Sequence, residues 1–454
     1  MTNLLKEIIS LCKRRGFVFP SSEIYGGFSS CYDFGPLGVE VKRNIKKNWW
    51  KQTVRLHKDV VGLDSGILMS PKIWKASGHL SAGFADELME CKECHKRFRV
   101  DKIDSDTCPE CGGEFTEPKQ FNLMMETYTG PIQNEDSKAY LRPETAQGIY
   151  INFKNVMDSR RLKLPFGIAQ IGKAFRNEIT PKNYIFRTRE FEQMEMQWFC
   201  DPDDADMYFE YWKKQRLNWY LELGVDKDKL RFNEIEKEER AHYAKKQIDL
   251  EYKFPFGWQE IEGIHNRGDW DLSNHSKHSH QDLKYQDKEK DKEYYPYVIE
   301  TSVGVERSFL AFMVDAYQKV EGGRDEKSKK KQEKVLKLHK KLAPIKVAVF
   351  PLIKKEQDLV NKAKEVYEKL KLDFSTEYDE AGSIGRRYRR QDEIGTPFCV
   401  TCDFDTLEDK SVTIRDRDTM EQERVKVKNL KEILRKKLRD NHPKYFDVQK
   451  NKTK

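Results

Sequence analysis

The chain has 454 residues, of which 37% are hydrophobic, 35% charged and 12% aromatic, with a formal net charge of +8. That aromatic content excludes a disordered chain, and 25 Gly, 16 Pro and 9 Cys exclude a collagen-like repeat and a disulfide-dense miniprotein. No uncharged apolar run approaches the ~18 residues of a membrane span, and at roughly 150 residues per domain the length suggests about three domains.

Residues 1–15 read as an amphipathic helix, with Leu4, Leu5, Ile8, Ile9 and Cys12 at helical spacing. Acidic and basic residues interrupt that stretch, so it is not a secretory leader, and the cysteines are expected reduced in the cytosol. Cys91 and Cys94, then Cys108 and Cys111, form two CxxC pairs, with turn-forming Pro109, Gly112 and Gly113 beside the second. Four thiolates at that spacing suit a closed tetrahedral zinc site. Residues 149–153, 166–175, 194–199 and 297–305 read as strands and residues 204–223 as a helix, which together predict an antiparallel α+β domain. Gly167, Gly172 and Lys173 have P-loop spacing, but Ala174 stands where Ser or Thr is needed and the segment itself reads as a strand.

Residues 273–296 are polar and read as a surface insertion, with His275, His278 and His280 solvated in it. Residues 321–341 are strongly charged and read as a solvated helix between domains. Beyond them the pattern is α/β. Strands are expected at 345–351, 374–378, 396–404 and 411–417, and helices around 359–370, 384–392 and 428–438. Cys399 and Cys402 fall in an apolar strand and read as core.

Two segments carry chemistry. Arg176, Arg187 and Arg189 lie among Glu178, Glu190, Glu192 and Glu195 on one expected hairpin, flanked by Phe175, Phe186 and Phe191. Arginine forks suit phosphate and carboxylate, and a phenyl ring can stack on a base. A salt-bridged surface hairpin would share this composition. In residues 300–307, Gly304 permits a tight turn and Arg307 falls in the first turn of the next helix, where anions gather. A zinc-containing nucleic-acid-binding protein without catalysis would explain the CxxC pairs and the charge, but not the Arg/Glu hairpin.

Together these segments resemble the class II aminoacyl-tRNA synthetases. FRNE and the REF strand resemble their second signature motif and GVER the third, while Ser70-Pro71, with YDFGPLG at 32–38 upstream, resembles the dimer-forming first. KASGH, LRPETAQGIY (141–150), FRNEITPKNYIFRTREFEQMEM (175–196), GIHNRGDWDL (263–272) and ETSVGVER (300–307) follow in order. They narrow the resemblance to the dimeric glycyl-tRNA synthetases of bacteria and eukaryotes, from about residue 10 to about residue 435. The resemblance implies a class II antiparallel-sheet catalytic domain over 1–320, with a zinc-knuckle insert at 88–118. It implies a charged linker or helix at 321–341 and an α/β anticodon-binding domain over 342–445.

It also implies ATP-dependent attachment of glycine to tRNA-Gly through a glycyl-adenylate, by a cytoplasmic homodimer using Mg²⁺ with ATP and a structural Zn²⁺. Arg176 and Arg307 would be catalytic. Arg176 would grip the α-phosphate, framed by Asn177 and Glu178, and Arg187 and Arg307 would hold the outer phosphates. Phe191 would stack on adenine and Glu260 would support ATP and Mg²⁺. Phe186, Thr188, Arg189, Glu190, Ile261, Gly304, Val305 and Glu306 complete the implied ATP site. Glu144, Glu195, Glu300 and Ser302 would surround the glycine ammonium, with Arg267 toward its carboxylate and Arg99 as a further contact. Phe191, Glu192, Gln193, Met194, Thr301, Val303 and Gly304 would line the substrate. Cys91, Cys94, Cys108 and Cys111 would hold the zinc. Two positions depart from the family pattern: Thr301 stands where Pro is frequent, and Gln197 where an acidic residue is common. The tRNA would be met through phosphate contacts and by anticodon bases against Arg386, Arg387, Arg389 and Arg390 beside Tyr388.

Overall fold

The computed structural model describes residues 2–439 except 81–83, 101–102, 104, 179–182, 242 and 322–331. Helix α1 (Asn3–Arg15) buries Leu5, Ile8, Leu11 and Cys12, as its spacing predicts, and stops at Gly16 in a left-handed conformation. Lys13, Arg14 and Arg15 occupy its last turn, where cations offset the helix dipole. Helix α2 (Pro36–Trp50) starts with Pro36 at a position that needs no N–H donor.

The large sheet has seven strands. They are β1 (Val60–Gly62), β2 (Phe166–Phe175), β3 (Glu190–Cys200), β4 (Leu230–Glu234), β5 (Lys246–Phe254), β6 (Gly257–Gly268) and β7 (Tyr297–Gly304), in the order β4-β5-β6-β7-β3-β2-β1. Every neighbouring pair is antiparallel except β2 with β1. Side chains alternate across a strand, so Met194, Met196 and Trp198 of β3 enter the main apolar core while Gln193, Glu195 and Gln197 share the other face. Helices α3 (Ala146–Ile151), α4 (Ala205–Glu222), α5 (Trp270–Ser279) and α6 (Val305–Ala316) complete the layers. Trp212 and Trp219 of α4, Trp49 of α2, and Phe309 and Phe312 of α6 fill that core. One charge pair is sealed within it, Arg216 Nε to Glu262 Oε1 at 2.5 Å.

Four expectations change, the fourth in the charged stretch. Residues 149–153, expected as strand, are helical: α3 runs to Ile151 and a further helix starts at Phe153. Ile149, Tyr150 and Phe153 pack with Phe166, Phe199 and Leu272 in a second core. A short apolar run has no period that separates buried helix from buried strand. His275, expected in solvent, is 5% exposed on α5, while His278 and His280 are exposed as expected. Residues 176–178 and 186–189, expected as strand flanks, lie outside β2 and β3, with one 3-10 turn at Tyr184–Phe186, and Pro181, in the loop expected between them, lies outside the described residues.

In the charged stretch, β8 (Tyr317–Glu321) pairs antiparallel with β9 (Gln332–Leu336) and residues 337–341 are irregular chain and turn, so the described part is not the expected solvated helix. Val335, Leu336 and Leu338 are each 1% exposed, apolar surface that a solvated helix would leave wet. Residues 322–331 of that stretch lie outside the described ones.

The C-terminal sheet comprises β10 (Val347–Pro351), β11 (Thr376–Tyr378), β12 (Phe398–Cys402), β13 (Ser411–Asp416) and β14 (Gln422–Lys426), in the order β11-β10-β12-β13-β14. The pairs around β10 are parallel and the rest antiparallel. Helices α7 (Gln357–Leu370), α8 (Ile384–Ile394) and α10 (Val427–Leu438) match the pattern in the sequence. The short α9 (Phe404–Asp409) and β14 were not anticipated. Cys399 and Cys402 are buried, as expected.

The arginines of α8 are largely engaged. Arg387 is 1% exposed and donates to Gly382 O at 2.8 Å, Arg389 faces Glu333 at 3.4 Å and Arg390 Nε donates to Asp379 at 2.9 Å. This region also reaches into the larger core, which takes Leu342 and Ile394. Beside Ile394, Glu393 accepts from Arg14 at 2.9 Å and from Arg15 Nε at 2.7 Å on α1.

Candidate active site

The polar face of β3, β6 and β7 forms the floor of a cleft of about 230 Å³. Arg176, Glu178 and residues 185–188, all between β2 and β3, and the start of α6 form its rim. Strand register brings the floor together. Glu195 lies opposite Ser302, Gln197 opposite Glu300, and His265 opposite Glu300 on the other side. Gly263 is small by necessity, since a Cβ there would meet the His265 ring at 2.8 Å.

Three carboxylates gather at the buried end. Glu195 accepts from Ser302 Oγ at 2.7 Å, Gln193 Nε2 at 3.1 Å and Thr145 Oγ1. Burial, then the nearby Glu300 and Glu144 charges, pushes its carboxyl up to about 8. Glu300 accepts from Arg267 Nη1 at 2.9 Å and Gln197 Nε2 at 3.0 Å, and its Oε1 lies 2.7 Å from His265 Nδ1. Burial opposes its ionisation, but Arg267 and His265 outweigh that and hold its carboxyl below the usual range. Glu144 accepts from Gln147 at 2.9 Å and faces His79 at 3.4 Å. Burial raises its pKa, yet His79 and then Arg267 bring it well below the ordinary value. At neutral pH the cleft therefore presents two ionised carboxylates and one neutral carboxyl, an arrangement that an ammonium group would complete.

Arginines stand at the other end. Arg176 donates to Pro143 O at 3.1 Å and lies 5.4 Å from the Phe191 ring centroid. Arg307, in the first turn of α6, lies 4.6 Å from the Phe186 ring centroid and 3.0 Å from Glu260 Oε2. Arg187 faces Glu178 at 3.6 Å. Arg142 donates to Lys173 O at 2.7 Å and Ser65 O at 2.8 Å, which fixes the chain entering Pro143 and Glu144. Converging guanidinium groups beside the phenyl rings of Phe191 and Phe186 suit a nucleotide triphosphate.

Of the residues singled out from the sequence, Glu144, Arg176, Glu178, Phe186, Arg187, Thr188, Phe191, Gln193, Glu195, Glu260, Glu300, Ser302, Gly304, Glu306 and Arg307 line this cleft. Others do not. Ile261, Met194, Thr301, Val303 and Val305 are buried beneath it. Asn177 uses its backbone N–H on Leu123 O, Arg189 reaches Glu178 O and Ser29 O, and Arg99 lies in the strand Arg97–Arg99, outside the cleft lining. Glu190 and Glu192 line a separate cleft, where Glu192 pairs with Lys42 and Lys46, each at 2.6 Å.

Arg267 is placed differently from expectation. It is 2% exposed, bonded to Asp271 and Glu300, and stacked 3.6 Å from the Tyr243 ring centroid, so its guanidinium holds protein carboxylates at this end. The cleft also contains residues not singled out: Tyr243, Gln247, Asp249, Gly263 and His265. Burial and then Glu260 push Asp249 up to about 6. Gly263 and His265 fall inside the GIHNRGDWDL string, which flagged the segment but not their roles.

Away from the cleft, the ligand sulfurs of Cys91, Cys94, Cys108 and Cys111 lie within 4.8 Å of one another. Sγ of Cys91 and Cys111 are 3.4 Å apart and those of Cys94 and Cys108 3.7 Å. A disulfide needs about 2.05 Å, whereas a tetrahedral site with metal–sulfur bonds of about 2.3 Å spaces its sulfurs about 3.8 Å apart. Backbone turns hold each pair: His95 N–H donates to Cys91 O at 3.0 Å and Gly112 N–H to Cys108 O at 2.8 Å. The cluster can hold a metal ion of zinc type.

A family model described as the tRNA synthetase class II core domain (G, H, P, S and T) matches residues 126–317, and one described as the anticodon binding domain matches 346–437. The glycine–tRNA ligase of Borreliella burgdorferi (strain ATCC 35210) is 54% identical over 94% of this chain and 96% of its own length. That of Treponema denticola is 53% identical over 93% of this chain and 94% of its own. That of Thermobifida fusca is 51% identical over 95% and 97%. Identity of this depth along nearly the whole of both chains, over a cleft with carboxylates at one end and arginines at the other, means that the chain belongs to the glycine–tRNA ligase family of class II aminoacyl-tRNA synthetases.

Proposed function

We propose that this protein attaches glycine to tRNA-Gly in two ATP-dependent steps. A glycine carboxylate oxygen attacks the α-phosphorus of ATP, forming the mixed anhydride and releasing pyrophosphate. A terminal hydroxyl of the tRNA then attacks the glycyl carbonyl carbon, and AMP leaves. The observation that carries this reading is the polarity of one cleft, with Glu144, Glu195 and Glu300 at one end and Arg176, Arg187 and Arg307 at the other. Neither step needs a protein nucleophile. Orientation of the two substrates and neutralisation of charge developing at phosphorus are sufficient sources of rate.

In this reading the carboxylates take the ammonium, with Ser302 supporting Glu195. Arg176 takes the α-phosphate, Arg187 and Arg307 the outer phosphates, and Phe191 the adenine. Mg²⁺ bound with ATP would neutralise phosphate charge, and half-exposed Glu260 and its neighbour Asp249 are two of the acidic residues lining that end. A site that surrounds an ammonium and leaves no room beyond Cα excludes larger amino acids sterically, so no editing domain is needed. Glu195→Ala is expected to abolish glycine-dependent activation while leaving ATP affinity within a few-fold.

The deciding experiment is ATP–pyrophosphate exchange with a panel of amino acids. Exchange with glycine alone is expected; exchange with another amino acid would overturn the substrate, and none at all would overturn the catalytic reading.

The same proposal assigns a structural Zn²⁺ to the four cysteines. Metal analysis of gently purified protein should find about one zinc per chain, and a value well below one would count against it. It also divides the chain into a catalytic domain over 1–320, with the knuckle at 88–118, and an anticodon-reading domain over 342–445. It places the enzyme in the cytoplasm as a homodimer. Ile24 at 88% and Tyr25 at 87% exposure, close to the segment resembling the first motif, are apolar surface a second subunit would cover. Light scattering should give twice the chain mass.

A further inference from the structure

Behind the wall of the cleft, one residue outside its lining holds two of the three carboxylates. Asp271, in the first turn of α5, is 1% exposed. Its Oδ2 accepts from Arg267 Nε at 2.7 Å, and its Oδ1 accepts from Arg267 Nη2 at 2.9 Å. The same Oδ1 accepts from Gln147 Nε2 at 3.1 Å. Each partner then reaches forward. Arg267 Nη1 donates to Glu300 Oε2 at 2.9 Å, and Gln147 Nε2 donates to Glu144 Oε1 at 2.9 Å. His275 Nε2, 2.7 Å from Gln147 Oε1, sets the direction of the amide, because a flipped amide would turn its oxygen toward two carboxylates.

Charge explains why this node matters. Arg267 serves two buried acids, so its single positive charge leaves one negative charge over. With Asp271 taking two of its N–H groups as a bidentate fork, Glu300 receives only one, on Oε2, while its Oε1 faces His265, so Arg267 does not cancel the Glu300 charge and part of it remains for a ligand. Without the Asp271 charge, Arg267 and Glu300 would close into a neutral pair, and the amide holding Glu144 would lose its second anchor.

Resting on the reading that these carboxylates take the glycine ammonium, we propose that Asp271 is a positioning residue for glycine recognition. It aims Glu300 through Arg267 and Glu144 through Gln147, so one buried carboxylate sets the spacing of two that bind substrate.

The test is ATP–pyrophosphate exchange on the full chain, with KM measured separately for glycine and ATP. Asp271→Asn keeps the shape and removes the charge; it should raise the glycine KM at least tenfold and leave the ATP KM within twofold. Gln147→Met cuts only the arm to Glu144 and should raise the glycine KM several-fold with the same indifference to ATP. Because both act through one node, the double variant should fall short of the product of the single effects. An ATP KM that rises in step with the glycine KM, an unchanged glycine KM, or a full product would overturn the proposal. If Asp271→Asn lacks a cooperative melt, Gln147→Met decides alone by the same criterion. Absence of glycine-dependent exchange in the unaltered protein would overturn the functional reading and this proposal with it. Normal exchange there, with unchanged glycine KM in the variants, would overturn this proposal only.

Discussion

Glu144, Glu195 and Glu300 at the inner end of the cleft are 8%, 2% and 3% exposed, whereas the Arg187 side chain at the outer end is 39% exposed. Each inner carboxylate has at least two partners, and these come from several elements. Arg187 has one facing acid, at 3.6 Å, and sits on a loop. The contrast follows from the ligands proposed for each end. An ammonium is small, and its recognition depends on buried charges that cannot relax without large cost. A triphosphate is long and strongly charged, and flexible arginines can close upon it as it arrives.

Three changes would break or sharpen that contrast. The largest effect is expected from Arg307→Ala, which removes a fixed donor from the start of α6. Loss of one such preorganised group should lower kcat for exchange by roughly 10²–10³, with glycine KM changed far less. A change confined to glycine KM would reverse the assignment of the two ends.

The second concerns pH. Glu195 is neutral below about 8 and must lose its proton to meet an ammonium as an anion. Glycine binding should therefore weaken as pH falls below that value, approaching about tenfold per unit, while ATP affinity stays nearly flat. Steady-state KM values from pH 6 to 8.5 measure this, and Glu195→Gln should abolish the slope. The smallest effect is expected from Arg187→Ala. Its partly exposed pair is worth little, so ATP KM should rise only a few-fold.

The sequence made the sheet readable where alternation was clean. β3 shows Met194, Met196 and Trp198 against Gln193, Glu195 and Gln197, and its register then follows from burying one set. It was silent where one residue type serves two purposes. Ile149, Tyr150 and Phe153 fit strand or helix equally. His275 sits in a polar string whose other histidines are exposed, and only the folded position of Gln147 gives it a partner. The family resemblance set Arg267 toward the glycine carboxylate. That its anions come from the protein itself depends on α5 bringing Asp271 back one turn later. Gln247 and Asp249 join the cleft through the β5–β6 pairing, and Tyr243 from the turn ahead of β5, which no local motif announces.

The placement of Leu342 and Ile394 has a consequence for how this chain can be cut and how it is made. The C-terminal sheet has its own apolar core, yet its helix α8 lends Ile394 to the larger one and braces α1 through Glu393. A truncation at residue 341 would leave a hole in the part it was meant to isolate. A boundary drawn by homology is therefore not a seam. During synthesis, α1 leaves the ribosome well before its partner Glu393, which lies 378 residues further along the chain from Arg15.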